Sequence, residues 1–138
     1  MEIRKLDHVN VRTAALENMI SWYTEVLGMR QGERPNFPFP GAWMYVGDVA
    51  AVHLVGVDGD PGFGSETDLK LEHFAFSATG GAKFESKLKA KGVDYKRADI
   101  PEMNLYQINL WDADGNHIHL DFPEDDESLP HDRVNWNI

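Results

Sequence analysis

The sequence predicts an α+β fold built from two tandem βαβββ modules, whose mixed sheets form a concave cleft. Three observations carry that expectation. KLDHVNV at residues 5–11 recurs as KLEHFAF at 70–76. VHLV at 52–55 recurs as IHLD at 118–121. Between the members of each pair runs the same order of patterns: one helical, then three strand-like. His73 follows His8 by 65 positions and His119 follows His53 by 66. A near-constant offset over two landmarks is the mark of an internal repeat, which organises everything else in the chain.

The elements follow in order. Residues 5–11 alternate, with Leu6, His8 and Asn10 on one side and Asp7, Val9 and Val11 on the other. In ALENMISWYTEVLG, Leu16, Met19, Ile20, Tyr23 and Leu27 recur at helical spacing. Gly28 stands where a helix C-cap belongs. A strand is expected near residues 29–34. The proline-rich RPNFPFPG (34–41) reads as a loop or irregular edge. AWMYVG (42–47) and AAVHLVG (50–56) read as a hairpin turning at Gly47-Asp48. DGDPGFGSETD (58–68) is the clearest linker. The second module opens with a strand at 70–77 and a helix at 81–91. Phe84, Leu88 and either Ala82 or Lys91 mark the inner edge of that helix, and Gly92 ends it. Strands near 93–98, 104–111 and 116–122 complete the module, the last two joined by the turn DADG (112–115). The predicted organisation is therefore a first module at 1–57, a linker at 58–69, a second module at 70–122 and an acidic tail at 123–138. Val134, Trp136 and Ile138 give that tail apolar groups with which to dock.

Composition narrows the function. The 138 residues suit one domain or two small halves, and 42% hydrophobic content supplies a packed interior. A net charge of −10 makes nucleic acid and anionic membrane poor partners. No apolar run approaches the ~18 residues of a membrane span. The strand-like pattern begins at the N-terminus without a signal-peptide pattern, so a cytoplasmic location is expected. With no cysteine, any transition metal must be held by His, Asp or Glu.

The four repeated histidines are the chemical feature. A lone histidine on a strand is more often ordinary structure than a ligand. These four are not independent. Val9 and Val11, Phe74 and Phe76, Val52 and Leu54, and Ile118 and Leu120 form the apolar faces, which places His8, His73, His53 and His119 opposite them. Paired βαβββ units tend to pack about a pseudo-twofold axis, so equivalent residues converge. Four imidazoles facing one cleft are costly to bury without partners, and a divalent metal is one partner for all.

The chain resembles the vicinal oxygen chelate superfamily, which includes glyoxalase I, extradiol dioxygenases, fosfomycin-resistance enzymes and bleomycin-resistance proteins. LDHVNVRT, WYTEVLGM, EHFAFS and WDADGNHIHLDF carry the resemblance, over residues 3–122. Ala113 stands where the family commonly has proline. The resemblance puts the metal ligands at His8, His53, His73 and His119. His119 replaces the glutamate of most metal-dependent members, and a neutral all-imidazole set favours Zn, Fe, Ni or Co over Mg or Ca. His117, two positions away on the same strand face, is the alternative to His119 and is otherwise expected at the rim; His131 is expected in solvent. By strand alternation and the family pattern, Asn10, Gln107, Asn109, Trp43 and Trp111 are expected to wall the substrate site, with core packing the competing role for the two tryptophans. Tyr45 is a further candidate from the third strand. Asp121, Glu33, Asp99 and Glu102 are general-base candidates by type alone. The resemblance implies a metal-dependent lyase, isomerase or dioxygenase acting on a small oxygenated molecule. The alternative is a non-catalytic drug-binding protein of the bleomycin-resistance type, towards which the acidic balance leans because its ligand is cationic. A homodimer is also implied.

Overall fold

A computed structural model describes residues 1–2, 4–62 and 70–124. The described residues fall into two compact units. The first comprises the residues up to 62 together with Asp112–Asp114, and the second the remainder from 70 onward.

In the first unit, β1 (Val9–Thr13) leads into α1 (Leu16–Glu25), then β2 (Arg30–Gly32), β3 (Gly41–Val46) and β4 (Val49–Gly56). In the second, β5 (His73–Ser77) leads into α2 (Gly81–Lys91), then β6 (Tyr95–Ile100), a 3-10 turn at Pro101–Met103, β7 (Leu105–Trp111) and β8 (His117–Pro123). The sheet orders are β1-β4-β3-β2 and β5-β8-β7-β6. Each sheet joins its first and last strands in parallel and the rest antiparallel. This is the expected tandem βαβββ arrangement.

The repeat extends to hydrogen-bond register. Asn10 lies opposite His53, and Ala75 lies opposite His119. Trp43 lies opposite His53, and Asn109 lies opposite His119. Both sheets therefore use the 65- and 66-residue offsets read from the histidines.

The apolar faces pack as alternation requires. Val52, Leu54, Ile108, Leu110 and Ile118 are fully buried, while Leu120 and Phe122 are nearly so. In α1 the buried stripe is Met19 and Tyr23, followed by Val26 just beyond the helix. The chain leaves this helix through Gly28 (φ +70°), whose N–H bonds Thr24 C=O at 3.1 Å, while Met29 N–H reaches Tyr23 C=O at 3.0 Å. A positive φ there is why glycine occupies the position.

Three local expectations are corrected. Strand pairing begins at Val9 and at His73, later than residues 5 and 70, so His8 precedes its strand and His73 opens its own. The strand expected near 93–98 runs from Tyr95 to Ile100. The inner edge of α2 is Gly81 and Leu88 with half-buried Phe84, while Ala82 and Lys91 face solvent. Gly81 is inside because α2 starts against the Tyr106 hydroxyl and the Phe122 ring. A methyl group added at Gly81 would lie 2.6 Å from Tyr106 Cζ and 3.0 Å from Phe122 Cγ. Spacing marks which side of a helix turns inward, but not how closely the facing ring approaches. Residues 63–69 of the expected linker and 125–138 of the expected tail, including His131, lie outside the described residues.

Candidate metal and ligand site

In the first unit the side chains expected to bind metal and ligand form a stack of rings. His8 lies parallel to His53 with centroids 3.9 Å apart, and His53 lies parallel to Trp43 at 4.1 Å. Cross-strand pairing of Trp43 with His53 puts these two on one face of the β3–β4 hairpin. Burial holds the His53 pKa below its ordinary value, and the neighbouring His8 ring pushes it the same way. Both effects favour a neutral His53 ring with a lone pair to donate.

In the second unit three imidazoles cluster. The His73 centroid is 4.5 Å from that of His119 and 5.3 Å from that of His117. Glu72 bonds both neighbours: one oxygen contacts His73 Nδ1, and the other contacts His117 Nδ1 at 2.9 Å. Those bonds hold the Glu72 carboxyl below its ordinary pKa. His119 Nδ1 meets Asp121 Oδ1 at 2.9 Å. Its pKa is nevertheless lowered, because burial outweighs the pull of Asp121. Glu72, His73 and His117 offer ligand atoms all within 4.8 Å of one another, a His/Glu group able to hold a metal ion.

A common arrangement links the two units. Asp7 Oδ2 meets His8 Nδ1 at 2.8 Å, as Glu72 meets His73 in the second unit. The Asp-His and Glu-His dipeptides of the repeat are thus carboxylate–imidazole pairs. A carboxylate on Nδ1 fixes ring orientation and raises basicity at Nε2, the usual second-sphere arrangement around a ligating histidine. His8, His73 and His119 each have a carboxylate on Nδ1.

His117 is more enclosed than its expected rim position. Its side chain is 12% exposed, it stacks on Trp111 at 5.3 Å, and its Nε2 meets Asn109 Oδ1 at 2.9 Å. Both ring nitrogens of His117 are thus engaged within the protein, whereas among the described residues the His119 ring is hydrogen-bonded at Nδ1 alone.

The expected substrate residues divide between the units. Asn10 and Trp43 line a cavity of about 360 Å³ with His8 and His53. Gln107, Asn109 and Trp111 share a β7 face and pair across to Asp121, His119 and His117. Neither tryptophan is in the core: Trp43 lines the cavity, and Lys96 Nζ sits 5.5 Å from the Trp111 ring centroid. Of the four carboxylates considered as bases, Asp121 alone hydrogen-bonds one of these imidazoles. Asp99 pairs with Arg97 at 3.0 Å. Tyr45 turns away to donate to the Glu33 carbonyl at 2.7 Å, with Arg30 4.8 Å from its ring centroid.

Four contributors were not singled out from sequence. Glu72 was visible as the residue before His73, but its reach to His117 depends on parallel pairing of β5 with β8. Arg34, Phe37 and Phe39 line the first-unit cavity from the segment read as a loop. Their signal was the cation and paired phenylalanines of RPNFPF.

Sequence comparison gives the class to which this fold belongs. Residues 5–127 match the Glyoxalase/Bleomycin resistance protein/Dioxygenase superfamily. The chain belongs to that superfamily. It is 28% identical over 125 residues to Glyoxylase I 4 of Arabidopsis thaliana, covering 87% of this chain and 71% of that protein. A glyoxalase family protein from Bacillus anthracis superposes with a TM-score of 0.73 at 21% identity, over 89% of this chain and 98% of that one. The fosfomycin resistance protein FosX of Listeria monocytogenes superposes with a TM-score of 0.66 at 14% identity, over 88% and 94%. No helix among the described residues is long and apolar enough to cross a membrane.

Proposed function

We propose that the chain is a metal-dependent enzyme of this superfamily, a lyase, isomerase or dioxygenase converting a small oxygenated molecule. In this reading one divalent transition metal, Zn, Fe, Ni or Co, is ligated by His8, His53, His73 and His119. The observation that supports it is the repeated carboxylate–imidazole pair, Asp7 with His8 and Glu72 with His73, together with Asp121 on His119. Such pairs orient a ring and leave Nε2 as a basic donor.

When bound, the ion supplies Lewis-acid stabilisation of negative charge on a substrate oxygen. The chain's own residues do the remaining work. Asp7, Glu72 and Asp121 hold their imidazoles in one tautomer and orientation. Trp43 and Trp111 supply flat apolar walls, while Asn10, Gln107 and Asn109 offer amide groups to polar atoms of the substrate. Of the four candidate bases, Asp121 is the one that lies beside an imidazole, that of His119. The reading includes a homodimer, measured as twice the chain mass by size-exclusion chromatography with light scattering.

Elemental analysis of untagged protein tests the metal. One ion per site, lost in both His73→Ala and His119→Ala, is the expected result. The same loss in His8→Ala supports the four-imidazole set, and loss confined to second-unit variants assigns the ion to that unit alone. Absence of metal after reconstitution removes the enzyme reading and leaves a protein that holds its ligand without converting it.

A further inference from the structure

The first-unit cavity has a chemical bias of its own. Its described lining contains one cation, Arg34, and no carboxylate. The Arg34 guanidinium lies 4.9 Å from the centroid of Phe37 and 5.0 Å from that of Phe39. Its polar partner is the Phe39 carbonyl, at 3.0 Å from Nη2. Among the described residues no carboxylate pairs with Arg34, whereas Arg97 has two, Glu85 at 2.8 Å and Asp99 at 3.0 Å.

Gly41 is packed against both the main chain and Arg34: a Cβ there would lie 2.5 Å from the Leu54 carbonyl oxygen and 3.0 Å from Arg34 Nη2. The aromatic residues are only partly covered: Phe37 is 40% and Phe39 42% exposed, and they stack on each other at 5.3 Å. Phe37 in turn faces Trp43 at 6.4 Å. The cavity therefore offers a fork of N–H donors, flat apolar walls and two imidazoles at its other side. Arginine binds carboxylates through two parallel hydrogen bonds, and rings beside it limit the water that competes for them. A volume of about 360 Å³ falls in the range of small-molecule sites.

We propose that this cavity selects a small aromatic carboxylate, with the acid group on Arg34 and the ring against Phe37, Phe39 and Trp43. The proposal deepens the enzyme reading and rests on it for the role of His8 and His53. It also opposes the drug-binding alternative, because a cationic ligand would meet Arg34 with like charge.

Binding of three probes of one shape tests it: 2-naphthoate, neutral 2-naphthamide and cationic 2-naphthylmethylammonium. Affinities are read by calorimetry and by tryptophan fluorescence, on the full chain treated with chelator and again after metal loading. Wild type is expected to bind naphthoate at least about tenfold more tightly than either other probe, in both metal states, since a charge-assisted bidentate pair commonly contributes that much. Arg34→Gln is expected to abolish the preference while leaving naphthamide binding unchanged. Arg34→Lys should restore part of it, and Trp43→Ala should weaken acid and amide alike. Equal binding of acid and amide by wild type overturns the proposal, as does a preference that survives in Arg34→Gln. Tightest binding of the ammonium, or no binding of any probe, overturns it too. Acid selection by a chain that takes up no metal upholds the ligand class while the metal reading fails. Metal uptake without acid selection does the reverse.

Discussion

Replacing Tyr23 by phenylalanine removes one hydroxyl and little else, so its effect can be worked from the structure. Tyr23 is fully buried in α1, and Asp112 is 5% exposed. The hydroxyl donates to Asp112 Oδ2 at 2.9 Å. Asp112 Oδ1 separately accepts the Asp114 N–H at 3.0 Å, which shapes the DADG turn. Phenylalanine keeps the ring, so no cavity term arises. The loss is a hydrogen bond to a buried charged group, about 1.5–3 kcal/mol. For a chain of this size each kcal/mol moves the melting temperature by roughly 3–4 °C, so Tyr23→Phe should melt about 5–12 °C lower near neutral pH.

The pH dependence supplies an independent check. Burial raises the Tyr23 pKa well above 10.0, and the Asp112 charge raises it further. A group with a raised folded pKa contributes stability that is complete below the unfolded pKa and is lost as pH climbs above it. Wild type should therefore lose stability above about pH 10, as unfolded Tyr23 ionises and the folded hydroxyl does not. The phenylalanine variant lacks that loss, so the two melting temperatures should converge with rising pH. Thermal unfolding followed by circular dichroism from pH 7 to 11 measures both effects. A variant within about 1 °C of wild type at pH 7, or a gap that stays constant to pH 11, would refute the reasoning.

Other perturbations have signs fixed by the packing. Gly81→Ala, which at an exposed helical position would stabilise by up to about 1 kcal/mol, should instead destabilise by about 1–3 kcal/mol because of Tyr106 and Phe122; urea titration of this variant, alone and with Tyr106→Phe, reads the sign and its partial relief. Leu88→Ala empties a fully buried site on α2 and should cost about 2–5 kcal/mol in the same titration. Glu72→Gln should weaken metal affinity about 10–100-fold in competition with a chromophoric chelator, with the fold unchanged by circular dichroism. Gly47→Ala meets no atom within 4 Å, but requires φ +55°, so it should cost only the ~1 kcal/mol of left-handed backbone.

Much of the fold was legible because the chain states it twice. The 65- and 66-residue offsets between histidines reappear as the pairing of Asn10 with His53 and of Ala75 with His119. Alternation in IHLDF placed Ile118 and Leu120 inside and His119 on the other face, since strand periodicity is strict. Contacts between residues distant in sequence were not legible. The reach of Glu72 to His117 depends on the parallel register of β5 and β8, and the bond from Tyr23 to Asp112 spans 89 positions. The aromatic cage around Arg34 forms from a segment without periodicity, where composition signals a loop but not the direction of its side chains.

The shared register also makes the chain a pair of drafts of one text. Positions along β1 and β4 have counterparts along β5 and β8, so sites where the drafts disagree show where the two copies differ. Trp43 and Asn109 face equivalent imidazoles, one with an indole and the other with an amide. Asn10 and Ala75 occupy matching places with and without a polar group. Duplication relaxes the demand that a single strand both grip an apolar ring and arrange hydrogen bonds. An engineer can exploit that division by transplanting residues between the copies at known offsets, rewriting one half while the other preserves the original wording.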